Sequence, residues 1–271
     1  MTEERSGASG IDVRIAVAGA AGALGRALAP RLVEEGHTVR EITRRELLAN
    51  DLLELVRGCD AVVHVVGETP AASARAANGI AATRRLLAAA VDCGVPRYVE
   101  QSFVVAYRDG GDSWLDEDAP LDACAPVIER ETMLRRVDPR TLGWTILRGG
   151  SFVGPGTRQD ALIERLRSRR AQVAGDGLNY LSPLNVGDMA AAIVVGLERA
   201  PAGSTFNIVD EPLRYGDYVD ALADLLGVSR PRRRRTQSAP ASRRCTNAAA
   251  AVLLGWTPRH PIWPSPPVSG V

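Results

Sequence analysis

The sequence predicts an α/β protein built on a doubly wound parallel sheet, and three observations carry that prediction. The first is the stretch from Val13 to Val39, VRIAVAGAAGALGRALAPRLVEEGHTV, where a short apolar run, a glycine-rich turn, a helical pattern and a second apolar run follow one another. The second is that strand-like and helix-like segments go on alternating down the chain, which implies parallel pairing with ligands at the carboxyl ends of the strands. The third is bulk: 271 residues, 45% hydrophobic and 24% charged, can bury a sizeable core.

Val13 to Ala18 is a short apolar run bounded by glycine, as a buried parallel strand should be, and a helical pattern runs from Leu24 to Glu35. GAAGALG lies between them. Gly19 allows the tight turn, Gly22 lets the backbone approach a pyrophosphate, and Gly25 lets the helix pack closely on the sheet. The helix N-terminus, at Ala23 and Leu24, then offers free N–H groups to the anion. Gly36 is the expected C-cap, and Thr38 to Ile42 reads as the second strand. Strand, glycine triplet, helix and strand in this order predict a Rossmann-type dinucleotide site. Arg44 and Arg45 follow the second strand, where an acidic residue would hold a ribose 2′-hydroxyl and arginine suits a 2′-phosphate. They predict NADP(H) in preference to NAD(H); the competing reading is a solvated turn.

Leu47 to Val56 reads as one leucine-rich helix, and Asp60 to Val66 as a buried strand ending at Gly67. Val65, Val66 and Gly67 are then expected along the cofactor. His64, inside the apolar run, reads as a core or near-cofactor histidine. The interval before this strand is short for a further strand and helix. Ala76 to Cys93 is an alanine- and leucine-rich helix closed by Gly94-Val95-Pro96, and Arg97 to Ser102 is the next strand. Further strands are expected at Gly143–Arg148 and Thr205–Val209, and helices at Asp160–Arg170 and Tyr215–Leu226, with a hairpin-like turn at Gly175-Asp176-Gly177.

Composition excludes several classes. A net charge of +1 gives no field for nucleic acid or an anionic membrane. Cys59, Cys93, Cys124 and Cys245 form no CxxC pair, so neither zinc nor a disulfide framework is predicted, and His260 has no partners that would make it a metal ligand. Residues 1–12 read as a polar tail without the apolar core of a signal peptide. No apolar run approaches the roughly 18 residues of a membrane span, and a cytoplasmic protein is expected. SRPRRRR, from Ser229 to Arg235, lacks interleaved aromatics and reads as a solvated linker. The proline-rich end, residues 258–271, is expected to be extended or disordered.

The GxxGxxG spacing of GAAGALG resembles the extended short-chain dehydrogenase/reductase superfamily, the NAD-dependent epimerase/dehydratase-like proteins, and the likeness runs from about Val13 to Pro261. It implies a nucleotide-binding domain over residues 13–150 and, over 151–257, a small C-terminal substrate-binding cap with elements returning to the core. The superfamily's usual machinery is a Ser or Thr after the strand and a YxxxK helix, in which tyrosinate is the acid/base and lysine lowers its pKa. SFVVAY resembles S-S-A-x-V-Y, and anchoring it on Tyr107 puts Phe103 at the catalytic hydroxyl. ACAPVIERETMLRR resembles YxxxKxxxE, and anchoring it on Glu131 puts Ala123 at the tyrosine and Val127 at the lysine. No tyrosine elsewhere has lysine four residues on, so the resemblance is to an atypical member lacking the Ser-Tyr-Lys triad.

The same likeness supplies further expectations. Asp51-Leu52 corresponds to an adenine-contacting pair, and Gly79 stands where relatives carry asparagine. GGSFVGPG resembles the loop that closes on the nicotinamide, which makes Ser151 and Phe152 cofactor-face positions and leaves the loop looser at Gly149, where relatives have proline. Leu178 to Val186 resembles the segment before V-H-V-D-D, with Asn185 at the histidine and Asp188 retained as cap of the following helix. Phe103, Phe152, Asn179 and Tyr180 are expected to line the substrate pocket. Replacement acid/base candidates are Tyr107, Ser102 beside the nicotinamide, and Asp112, the last from an acidic loop that otherwise reads as solvated surface. Glu129 and Glu131 are expected to pair with Arg135 or Arg136. The functional readings are a reductase delivering hydride to a small organic metabolite, a non-redox enzyme on the same fold, and an NmrA-like nucleotide sensor. Relatives pair as homodimers through helices that here include Ala76–Cys93 and Val127–Val137.

Overall fold

In the computed structural model, which describes residues 13–48, 51–65 and 74–264, β1 (Arg14–Ala18) is buried from Ile15 onward, as a central parallel strand must be. The glycine turn leads to α1 (Ala23–Glu34), whose Leu24, Leu28 and Leu32 form a buried stripe at i, i+4 spacing. β2 (Thr38–Ile42) follows. The leucine-rich stretch beyond it is two short helices, α2 (Arg44–Leu48) and α3 (Leu52–Val56), where one helix was expected. Two polar starts explain the break. The Thr43 N–H and Oγ1 both donate to Glu46 Oε2, at 2.7 and 2.6 Å, in a capping box. Asp51 accepts from the Leu53 N–H at 3.0 Å and caps α3, so the residue that the resemblance assigned to adenine is occupied in starting a helix.

The chain continues through β3 (Ala61–His64), α4 (Ala74–Asp92), β4 (Arg97–Phe103), β5 (Trp114–Leu115), α5 (Ala125–Arg135) and β6 (Gly143–Gly149). Next come β7 (Ser151–Val153), α6 (Arg158–Arg167), β8 (Gln172–Ala174), β9 (Tyr180–Leu181), β10 (Pro183–Asn185) and α7 (Val186–Arg199). The last elements are β11 (Ser204–Ile208), β12 (Leu213–Arg214), α8 (Tyr215–Leu225), β13 (Arg232–Arg234), β14 (Arg244–Cys245) and a π-helical turn over Ala250–Leu254.

Six strands form the central sheet in the order β11-β6-β4-β3-β1-β2, every pair parallel. The fold is therefore Rossmann-type and doubly wound. From β1 the chain steps outward to β2 and then crosses back to β3, so the strand order reverses between β1 and β3, where a dinucleotide crevice is expected. β2 is the edge: α2 and α3 occupy the short interval in which a further strand would have formed. Alternate residues of β1 serve opposite layers. Ile15 and Val17 pack with α1 and α7, while Ala16 and Ala18 pack with α3 and α4. A third apolar cluster, with Leu166, Val173, Tyr218 and Leu222, holds α6, β8 and α8 together.

The C-terminal half departs from the sequence reading at four points. Gly175-Asp176-Gly177 turns with φ of 71° and 80° at its glycines, but its flanking strands do not pair with each other: β8 pairs with β13 and β9 with β12. The arginine run is no linker. It supplies β13, and two of its arginines pair with acids of α8, Arg233 2.8 Å from Asp220 and Arg230 2.6 Å from Asp224. Asn185, not Asp188, caps α7, its side chain accepting from the Gly187 N–H at 2.9 Å. Asp188 instead clamps the chain end: buried in the first turn, it accepts from the N–H groups of Arg259 and His260 at 3.0 and 2.9 Å and meets His260 Nδ1 at 2.7 Å. The stretch to Pro264 is accordingly docked, with the Asn185 amide donating to Pro261 O at 2.8 Å and Trp263 stacked on Tyr218. Residues 265–271 lie outside the described residues. No described helix is long and apolar enough to cross a membrane, and the described residues contain no group of three or more His, Cys, Asp or Glu that could hold a metal.

Candidate active site

A cleft of about 580 Å³ opens at the β1/β3 reversal. Its floor is the turn from Gly19 through Ala20, Ala21, Gly22 and Ala23 to Leu24. A Cβ on Gly19 would lie 2.1 Å from Val65 O, and its φ is 94°, so only glycine turns here. A Cβ on Gly25 would lie 2.3 Å from Ala20 O, so this glycine brings the helix against the turn. Gly22 is different: the nearest protein atom to such a Cβ is 3.5 Å away, and the space kept free there faces the cleft. Gly22 is also the N-cap of α1 and has no side chain to satisfy the first N–H groups, which leaves them to an anion. This cradle fits a dinucleotide pyrophosphate.

Further along the cleft lie Glu41, Ile42, Thr43 and Arg44 at the end of β2, and His64 and Val65 at the end of β3. Arg44 is exposed and lines the cleft, whereas Arg45 does not. Val66 and Gly67 lie outside the described residues. Glu41 is an unexpected member of the wall, since a carboxylate there is the residue type that accepts a ribose 2′-hydroxyl.

Beside the cleft is a second cavity of about 610 Å³, and Gly79 and Phe152 belong to the walls of both. Phe103, Ser151, Asn179 and Tyr180, all sequence candidates, line this cavity with Phe152. The Phe103 and Phe152 rings meet at 5.6 Å in a tilted contact. Asn179 Oδ1 is buried and has no hydrogen-bond partner among the described residues. The loop before Phe152 is tight rather than loose: a Cβ on Gly149 would lie 2.8 Å from the Phe152 ring and one on Gly150 2.3 Å from Ser182 O. Glycine here admits an aromatic ring and a neighbouring strand. Ala123 and Val127 are also on the cavity wall.

Ser102, Tyr107 and Asp112 line neither cavity. Ser102 is buried and donates to Glu131 Oε1 at 2.6 Å. Arg148, from β6, grips the same carboxylate with Nε at 3.0 Å and Nη2 at 2.7 Å, and its Nη1 donates to the Tyr107 hydroxyl at 2.7 Å. That hydroxyl donates in turn to Asn207 Oδ1 at 2.7 Å. Burial pushes Tyr107 well above the ordinary phenol value, against the pull of Arg148. Burial also works to raise Glu131, but the hydrogen bonds and charge of Arg148 hold it below the usual carboxylate range. A phenol held neutral and bonded on both sides is a structural tie between β6, β11 and the short 3-10 turn (Val104–Ala106) that follows β4. Asp112 is at the surface, 2.8 Å from Arg214. Glu129 pairs with Arg84 at 3.7 Å, and the i, i+4 contact of Glu131 with Arg135, at 3.6 Å, is secondary to Arg148.

A second buried carboxylate stands between the two cavities. Glu100, on β4, has no exposed surface; its Oε2 is 3.0 Å from His64 Nδ1 and its Oε1 3.4 Å from Arg130. His64 lines the cleft and Arg130 the cavity. The Tyr98 hydroxyl donates to Glu100 at 3.3 Å, and burial together with that carboxylate pushes Tyr98 well up.

Residues 15–209 match the model of the NAD dependent epimerase/dehydratase family. The chain belongs to that family. A relative from a Streptomyces species, 3-diazoavenalumate denitrifying reductase, is 29% identical over 93% of this chain and 98% of its own. The 2-alkyl-3-oxoalkanoate reductase of Stenotrophomonas maltophilia is 29% identical over 80% of this chain and 77% of its own. Among solved structures, MoeE5 in complex with UDP-glucuronic acid and NAD has a TM-score of 0.81 at 23% identity, over 92% of this chain and 94% of that one. DesIV, a dTDP-glucose 4,6-dehydratase from Streptomyces venezuelae, has a TM-score of 0.80 at 21% identity, over 92% and 93%. At those identities the structures speak for the fold.

Epimerase/dehydratase membership makes the chain an NAD(P)-dependent oxidoreductase or an epimerase/dehydratase-like enzyme. Sequence reasoning passed over Glu100, whose signal was a lone acid inside the strand YVEQS, and Arg243, which reaches the cavity from a segment without a motif. It also passed over Gln159, Tyr215 and Tyr218, cavity residues that the helical pattern alone marks as core.

Proposed function

We propose that this member of the epimerase/dehydratase family is an NADPH-dependent reductase of a small organic substrate that works without a tyrosine–lysine pair. One observation carries the reading. The cleft and the cavity share Phe152 and Gly79, so the reactive ends of cofactor and substrate can meet, while the hydroxyls of Ser102 and Tyr107 are engaged elsewhere and Ala123 and Val127 occupy the wall. Gly19, Gly22 and Gly25, with the N–H groups of Ala23 and Leu24, hold the pyrophosphate; Arg44 holds the 2′-phosphate; Val65 and His64 flank the ribose side. Ser151 and Phe152 set the nicotinamide face against the cavity, and Phe103, Asn179 and Tyr180 orient the substrate.

When bound, NADPH supplies a hydride; at a diazonium carbon the hydride replaces dinitrogen, a C–H bond forming as the C–N bond breaks, with no proton from the protein, whereas a ketone acceptor would take its proton from water. The name of the Streptomyces relative, a denitrifying reductase of a diazo carboxylate, supports that reaction class, and the Stenotrophomonas relative also acts on a carboxylate. Holding the two reactants in register supplies much of the rate, since positioning alone is worth several powers of ten. The test is to mix the protein with NADPH and, separately, a diazonium carboxylate and a 2-alkyl-3-oxoalkanoate. NADPH should be consumed one for one with reduced product for at least one of them. Turnover with no net loss of NADPH would make the enzyme non-redox, and tight NADPH binding with no turnover of either would favour a sensor.

A further inference from the structure

Arg243 is the unusual charge of the substrate cavity. It lines the cavity and not the cofactor cleft, and it is half-buried. Its acceptors are three backbone carbonyls: Tyr107 O at 3.3 Å, Ala241 O at 3.4 Å and Val105 O at 3.1 Å. Carbonyl dipoles at such distances compensate a guanidinium poorly, whereas a carboxylate matches its fork with two parallel bonds. The other cavity arginines are placed differently: Arg130 faces Glu100, and Arg158 and Arg165 are exposed to water. Burial depresses the Arg243 pKa, only partly offset by the nearby Asp109, whose Oδ1 already accepts from the N–H groups of Gly111 and Ser242.

The backbone beneath Arg243 is fastened on both sides. The Arg243 N–H donates to Tyr180 O at 3.0 Å, the Tyr180 N–H to Ser242 Oγ at 2.9 Å, and the Cys245 N–H to Ser182 Oγ at 3.0 Å. The cation is thus presented by a fixed support, which lowers the ordering cost of binding. Asn179, one residue before Tyr180, lines the same cavity. An under-compensated cation in a largely aromatic and aliphatic cavity calls for a ligand that carries an anion on an apolar body.

We propose that the cavity binds a small aryl or alkenyl carboxylate, with its carboxylate on Arg243. This rests on the reading of the cavity as the site of the reduced substrate, and it sets the specificity of that site. Arg243 lines the cavity and not the cleft, which leaves the unsaturated part of the ligand to face the cofactor.

The probes are 4-hydroxycinnamate and its neutral amide, titrated by calorimetry into the protein with and without NADPH, with NADPH titrated separately. The acid should bind about tenfold tighter than the amide or better. In Arg243→Gln the acid should fall to the amide's affinity while the amide and NADPH stay unchanged; in Arg243→Lys part of the preference should return. Equal affinities in the wild type, a preference that survives in Arg243→Gln, or no binding of the acid at millimolar concentration would overturn the proposal. Unchanged NADPH affinity reports that the variants are folded. A protein that prefers the acid through Arg243 and yet fails to bind NADPH would uphold this assignment and sink the reductase reading.

Discussion

Arg148→Met removes the cation of a buried ion pair. Arg148 and Glu131 have side chains only 1% and 2% exposed, and removing the cation leaves the carboxylate buried. Breaking such a pair from one side costs about 3–5 kcal/mol. Here Ser102 and, less closely, Arg135 still face Glu131, so the lower end, about 3 kcal/mol, is expected, which for a chain of this size lowers Tm by roughly 6–12 °C. The pH dependence has a definite sign. In the wild type the folded pKa of Glu131 lies below its unfolded value, so its contribution is complete above about pH 4.3 and is lost as pH falls through the folded value. Without Arg148, burial raises the folded pKa, and the variant loses stability as pH rises from about 4.3 through that raised value. The gap between the two proteins is therefore widest at neutral pH and narrows in acid. Urea unfolding followed by circular dichroism, at several pH values, measures it. A gap below about 1 kcal/mol at neutral pH, or one that widens in acid, would refute the assignment of Glu131 as a buried anion held by Arg148.

Other outcomes follow from the same geometry. Gly22→Ala should keep the fold, since its Cβ meets protein only at 3.5 Å, yet weaken NADPH at least tenfold by filling the cradle; Gly19→Ala should destabilise the protein itself, because its Cβ would lie 2.1 Å from Val65 O. Arg44→Ala should reduce the preference for NADPH over NADH, and Glu41→Gln should increase it, both read from the ratio of the two dissociation constants. Asp188→Ala should cost about 1–3 kcal/mol by leaving the Arg259 and His260 N–H groups unsatisfied. It should also expose the stretch from Pro258 to Pro264 to limited proteolysis.

The nucleotide half was legible because its signals are local. Gly19, Gly22 and Gly25 each do a separate steric task that the backbone dictates within a few residues, and β1 is apolar because both its faces are covered. Arg44 was placed by its position after β2, and Phe103, Phe152, Asn179 and Tyr180 around the cavity by the family resemblance. What failed was long-range pairing. Nothing near Ser102 or Tyr107 in the chain announces that Arg148 and Glu131 will hold them in a buried network, and nothing near Ser229–Arg235 announces the acids of α8. Asp188 looked like a cap because it opens a helix, but its partners are the backbone groups of Arg259 and His260, over seventy residues away. Proline-rich composition likewise hid the docking of Trp263 on Tyr218, which only the fold creates.

The most direct test of the central claim is transfer of the label from NADPH deuterated at the reactive nicotinamide carbon to product, in the wild type and in Tyr107→Phe. Single turnovers with the diazonium carboxylate, read by mass spectrometry, serve both proteins. Deuterium should appear in the product with an isotope effect on the rate in each, and Tyr107→Phe should keep its rate per folded molecule. Product without deuterium, or transfer abolished by Tyr107→Phe in a protein that still folds, would contradict reduction by hydride delivery without a catalytic tyrosine.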